Sequence, residues 1–183
     1  DNLERKIEKG SLYKLDKKLV MTKIDSNYRI TNGPAFIDQL NFYHTDSSKK
    51  IIYKIKINRN NKIINKKIFK KFKLTDGSPD GMTLDRNKNL WIAHFHGARI
   101  SVLNSKAQLI HTVNLPAKNI TNCAFGGQKN NQLFVTSATK NLNKSDLQKF
   151  KYSGCLFSVN TNAKGILQKK FFYNYEKKRP LLR

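Results

Sequence analysis

Asn32, Asp80 and Asn122 are the residues of this chain whose types and spacing allow them to do chemistry together. Each opens a short, mostly apolar segment: Asn32-Gly33-Pro34-Ala35-Phe36, Asp80-Gly81-Met82-Thr83-Leu84 and Asn122-Cys123-Ala124-Phe125. The segments recur at intervals of forty to fifty-odd residues, so a repeating fold would set the three side chains in register. Amide and carboxylate oxygens converging on one axis suit a hard cation such as Ca²⁺, Mg²⁺ or Mn²⁺ better than a structural Zn²⁺. Asn-Gly and Pro-Asp-Gly are also ordinary turn sequences, and Asn122 lacks the following glycine, so a turn reading stands beside the site reading.

The elements that must position these residues are strands. Ser78 to Ala98 reads as a turn, a strand, a polar hairpin from Asp85 to Asn89 and a second strand carrying Trp91, the only tryptophan. Its first strand recurs in the three segments above, and its second in Leu40-Asn41-Phe42-Tyr43 and Leu133-Phe134-Val135-Thr136. A third series, near residues 12, 52, 100 and 156, includes the strictly alternating Tyr53-Lys54-Ile55-Lys56-Ile57. A fourth follows at Lys17–Lys23, Lys62–Phe69, Gln108–Leu115 and Ile166–Phe172. Four strands per unit predict an all-β fold of propeller blades: the end of one blade in residues 1–25, further blades in 26–75, 76–116 and 117–175, and a tail in 176–183. Asn143 to Phe150 predicts a two-turn helix, started by a Ser cap and inserted in the last blade. The chain opens on Asp1, without an initiator Met and in mid-blade, so further blades are expected upstream.

Other chemistry is weaker. His94 and His96 lie two apart and would share a face of one strand, where they bind metal or pack. Cys123 and Cys155 have no Cys-x-x-Cys spacing, which argues against a zinc knuckle or a disulfide framework and for a reducing, cytoplasmic setting. No Gly-x-Ser-x-Gly elbow is present to support a covalent nucleophile. The 36 Lys and Arg against 12 Asp and Glu give a net charge of +24, which raises nucleic acid or an anionic surface as a partner. The lysines are spread through nearly every segment beside Asn and Ile, however, as a solvated surface would have them. In the basic, aromatic run Lys49–Lys73, the aromatics fall where strand alternation wants core residues. No apolar run is long enough to cross a bilayer as a helix.

At these residues the chain resembles the regucalcin (senescence marker protein) and gluconolactonase family. The likeness is carried by Gly10-Ser11-Leu12-Tyr13, Ile30-Thr31-Asn32-Gly33, Pro79-Asp80-Gly81-Met82 with Leu90-Trp91-Ile92-Ala93, Thr121-Asn122-Cys123-Ala124-Phe125-Gly126-Gly127, Val135-Thr136-Ser137-Ala138 and Gly154-Cys155-Leu156-Phe157. It implies a six-bladed β-propeller, here about three and a half four-stranded blades from the C-terminal part. It implies hydrolysis of a sugar lactone with one divalent cation, Ca²⁺ first, with Zn²⁺, Mg²⁺ or Mn²⁺ as alternatives. Asn32 and Asp80 fall on metal ligands, Asp80 also on the catalytic base, and Asn122 on a channel-lining position that would touch substrate. The family's Glu-Gly-Pro ligand belongs to blades that this chain does not include. Gly97-Ala98 stands where the family has paired glycines, and Pro34 where an aliphatic residue is common. The implied partner is a small sugar lactone, with no specific nucleic acid and no membrane. The competing readings are a non-catalytic propeller that binds a metal or a partner, and a basic nucleic-acid-binding protein.

Overall fold

A computed structural model describes residues 7–167 and 171–172. Four antiparallel sheets follow one another along the chain. The first is a ribbon of β1 (Gly10–Leu15) and β2 (Met21–Tyr28). The second holds β3 (Thr31–Phe36), β4 (Asn41–Asp46), β5 (Ile51–Ile57) and β6 (Ile63–Lys71), and the third β7 (Ser78–Leu84), β8 (Leu90–Phe95), β9 (Arg99–Leu103) and β10 (Leu109–Asn114). The fourth holds β11 (Asn119–Gly126), β12 (Gln132–Ala138) and β13 (Leu156–Asn160). Each strand pairs with its sequence neighbour, which is how a propeller blade is wound from its innermost strand outwards. β7 packs between β3 and β11, so the first strands of the three blades are neighbours.

The core lies between blades. Ile55, Ile57 and Phe42 meet Leu12 and Ile24 of the ribbon, while Ile52 and Tyr43 turn to the other face and meet Met82, Leu84 and Leu90 of the next blade. The third and fourth sheets meet over Trp91, Ile100, Val102, Ile120, Leu133 and Val135. Both faces of an internal blade are thus covered, which is why its middle strands carry apolar residues on both sides and Ile52 and Ile55 are fully buried.

Four details differ from the sequence reading. β2 runs on to Tyr28, past the boundary expected at residue 25, because Tyr28 pairs with Gly10 and is buried. The helix α1 (Lys144–Lys149) is capped by Asn143, whose side-chain oxygen accepts from the Asp146 N–H, and not by a serine. Of the strand expected at Ile166–Phe172, the described residues Ile166, Leu167, Phe171 and Phe172 are in no strand, and the rest of it lies outside the described residues, as do the end of the last blade and the 176–183 tail. β8 ends at Phe95, and His96 turns into the left-handed region at φ 63°, so His94 and His96 do not share a strand face. No helix among the described residues is long and apolar enough to cross a membrane.

Candidate active site

Each inner strand breaks step with its neighbour next to a candidate residue: Asp80 is skipped by the ladder, while Asn32 still pairs with Thr45 and Asn122 with Thr136. In the β3–β4 ladder the register shifts between Asn32 and Ala35, in β7–β8 between Pro79 and Met82, and in β11–β12 between Ile120 and Asn122. In every case the inner strand holds one residue more than its partner. A β-bulge of this kind leaves a residue outside the ladder and re-aims its side chain. The alternation of the flanking apolar residues gives no hint of it, and only the Gly and Pro beside Asn32 and Asp80 could have signalled it.

Asp80 is half-buried at the bulge of β7. The N–H of Gly81 donates to it, but burial is the larger effect and pushes its carboxyl up to about 7. Asp85, five residues on, shows what a spent carboxylate looks like. It accepts from the Asn89 N–H at 2.9 Å, the Asn89 Nδ2 at 2.9 Å and the Trp91 Nε1 at 3.0 Å, and so closes the β7–β8 hairpin. Asp80 is therefore the acid in this stretch with charge left to offer.

The other two candidates border the same segment. Asn32 donates from Nδ2 to Ser47 Oγ at 2.8 Å, and Ser47 donates to the carbonyl of Pro79 at 2.6 Å, one residue before Asp80. Asn122 lies against Gly81 from the other side: a Cβ built on Gly81 would run into the Asn122 side chain and backbone. Asn122 Oδ1 accepts from the Cys123 N–H at 2.8 Å. Strand β7 thus carries Asp80 between an asparagine from the preceding blade and one from the following blade. Ser47 was missed from sequence, where Ser47-Ser48-Lys49-Lys50 reads as a turn between strands.

This donor set fits a hard cation. An under-compensated carboxylate and amide oxygens are the ligand types that Ca²⁺ or Mg²⁺ prefers. Among the described residues no group of three or more His, Cys, Asp and Glu gathers at one point. His94 is fully buried beside Phe72, with ring centroids 5.0 Å apart, and neither ring nitrogen has a partner. Burial and then the Arg99 cation push it down to about 4.

Comparison with known proteins bears on the family and the fold. Residues 1–139 match the family model described as the SMP-30/Gluconolactonase/LRE-like region. Regucalcin of Danio rerio is 30% identical over 161 residues, covering 86% of this chain and 55% of the relative. The 6-deoxy-6-sulfogluconolactonase of Pseudomonas putida is 27% identical over 164 residues, covering 88% of this chain and 56% of the relative. The chain thus spans just over half the length of these curated relatives. A solved structure of luciferin-regenerating enzyme superimposes with a TM-score of 0.80 at 31% identity, covering 92% of this chain and 57% of that one. The four sheets have the β-propeller fold of these relatives, and the chain belongs to the SMP-30/gluconolactonase/LRE-like family.

Proposed function

We propose that the protein carrying this chain hydrolyses a sugar lactone with the help of one divalent cation. The observation that carries the reading is Asp80, a half-buried carboxylate with only a backbone N–H for compensation, aimed by a bulge between Asn32 and Asn122 in a family that includes lactonases. Asn32 and Asp80 would hold the cation, Ca²⁺ first, with Zn²⁺, Mg²⁺ or Mn²⁺ as alternatives. Bound there, it would polarise the lactone carbonyl and lower the pKa of water.

Asp80 accepts a proton from the attacking water as the new C–O bond forms at the carbonyl carbon. The ring C–O bond then breaks, the ring oxygen takes up a proton, and the open hydroxy acid leaves. Without a cation, burial already favours the protonated form of Asp80 over an exposed carboxylate, in keeping with a role in taking up a proton. Asn122 borders the same segment and would orient the substrate by its amide.

The test is proton release from glucono-1,5-lactone by the full-length protein, with and without chelator, beside Asp80→Ala and Asp80→Asn. The reading expects release that needs the cation, vanishes in Asp80→Ala and is lost in Asp80→Asn even where some cation still binds. A folded, cation-loaded protein without release above background on sugar lactones would overturn it. A propeller that binds metal or a partner without turnover would then be the better reading.

A further inference from the structure

The geometry points to Ser47 as a positioning residue that sets the chemistry of the Asn32 slot, making it an amide oxygen and not a carboxylate; the metal part of this inference rests on the reading above. Ser47 lies at the end of the second strand of its blade, 2% exposed, and touches both neighbouring inner strands. A hydroxyl has one hydrogen to give. Here it is committed, because the Pro79 carbonyl at 2.6 Å can only accept. Ser47 Oγ must therefore accept from Asn32, so the amide presents Nδ2 to Ser47 and turns Oδ1 away from it, available as a ligand atom.

Two consequences follow. A carboxylate at position 32 would set an acceptor against an oxygen whose hydrogen is already used, in a buried spot where unpaired polar atoms are costly. The next blade has no such constraint: β4 ends at Asp46, paired with Thr31, and β8 ends at Phe95, paired with Ser78, so His96 stands where Ser47 stands. His96 is exposed and in the left-handed conformation. The Ser47 hydroxyl also holds the carbonyl that precedes Asp80, so it spaces the two ligand-bearing strands.

The experiment has two arms on the full-length protein. In the first, side-chain amide ¹⁵N resonances of Asn32 are followed without metal in wild type and Ser47→Ala. The expected result is a shift and faster hydrogen exchange of the Asn32 NH₂ on loss of the acceptor, while amides of β9 and β10 stay in place. In the second, Ca²⁺ binding is titrated calorimetrically in wild type, Ser47→Ala, Asn32→Asp and the double variant. Ser47→Ala is expected to weaken Ca²⁺ binding by about 10–100-fold, the range for removing a group that orients a ligand. Asn32→Asp alone should weaken it too, and the loss should shrink at least about fivefold in the Ser47→Ala background, where the opposing lone pair is gone. An unchanged Asn32 NH₂ signal in Ser47→Ala, or an Asn32→Asp penalty equal in both backgrounds, would overturn the inference. If wild type binds no Ca²⁺, Mg²⁺ or Mn²⁺, the metal reading fails by itself. The amide arm still decides whether Ser47 orients Asn32, since it needs no metal.

Discussion

A methyl group on Gly81 would stand 2.8 Å from the Cα of Asn122, closer than real carbon contacts allow and against backbone that cannot swing aside. β7 and β11 approach this closely because the residue after Asp80 has no side chain. Gly81→Ala should therefore push the two inner strands apart, at a cost of about 1–3 kcal/mol in stability. Lactone hydrolysis should fall at least about tenfold, since a displacement near 1 Å at a reacting centre is enough for that. Gly126→Ala is the control, because its added carbon meets only the Phe134 ring, at 3.0 Å. Thermal denaturation of both variants beside wild type checks the prediction, and equal melting temperatures for the two would contradict it.

Ala98 holds a backbone position that favours glycine. Its φ is 50°, and the conformation is pinned on both sides, by the Ala98 N–H donating to Lys118 O at 2.9 Å and the Leu115 N–H donating to Ala98 O at 2.9 Å. A side chain in the left-handed region costs about 1 kcal/mol, part of which returns as the greater freedom of glycine in the unfolded chain. Ala98→Gly should then stabilise the protein by about 0.5 kcal/mol. Gly97→Ala should do the opposite, because its added carbon would lie 2.8 Å from the Asp76 carbonyl. Urea midpoints of the pair should move in opposite directions.

Two buried histidines predict sensitivity to acid. His44 packs edge-on against Tyr28 at 4.7 Å and His94 against Phe72 at 5.0 Å; the ring nitrogens of both lack partners, and burial pushes both down to about 4. Their ordinary value is 6.5. Between that value and about 4 the unfolded chain binds protons that the folded chain refuses, so stability is full above pH 6.5 and drains away as pH falls towards 4. Each tenfold difference in proton affinity is worth about 1.4 kcal/mol, which makes the loss about 3 kcal/mol per histidine. The urea midpoint of wild type should drop between pH 7.5 and 4.5. His94→Phe should drop less over the same interval, and an equal slope for both would refute the assignment to His94.

The strands were legible because their signals are local. Tyr53 to Ile57 alternates because Ile55 and Ile57 are buried while Lys54 and Lys56 between them are not, and Leu90-Trp91-Ile92-Ala93 is apolar because both its faces are buried. The three inner strands that carry Asn32, Asp80 and Asn122 were legible as a repeat, since each begins a sheet of the same winding. The bulges were not, because one extra residue in a strand leaves the composition unchanged and moves only the pairing. Ser47 was hidden for a different reason. Its role depends on Pro79, 32 residues away, and nothing around Ser47 in sequence distinguishes it from Ser48. The shared face for His94 and His96 failed because spacing by two means a common face only while the strand lasts, and β8 stops between them.

The three bulges separate what the blades need from what the channel offers. A residue skipped by the ladder contributes no cross-strand hydrogen bond, so the sheet imposes little on its identity. Packing between blades is carried by other positions, such as Ile52, Leu90 and Ile120, each fully buried. The architecture is in effect a row of sockets, in which the acid Asp80 sits at a skipped position and the amides Asn32 and Asn122 on paired residues that flank theirs. The reagent in each socket answers to the groups beside it, as Asn32 answers to Ser47, and not to the strand pairing that carries the blade.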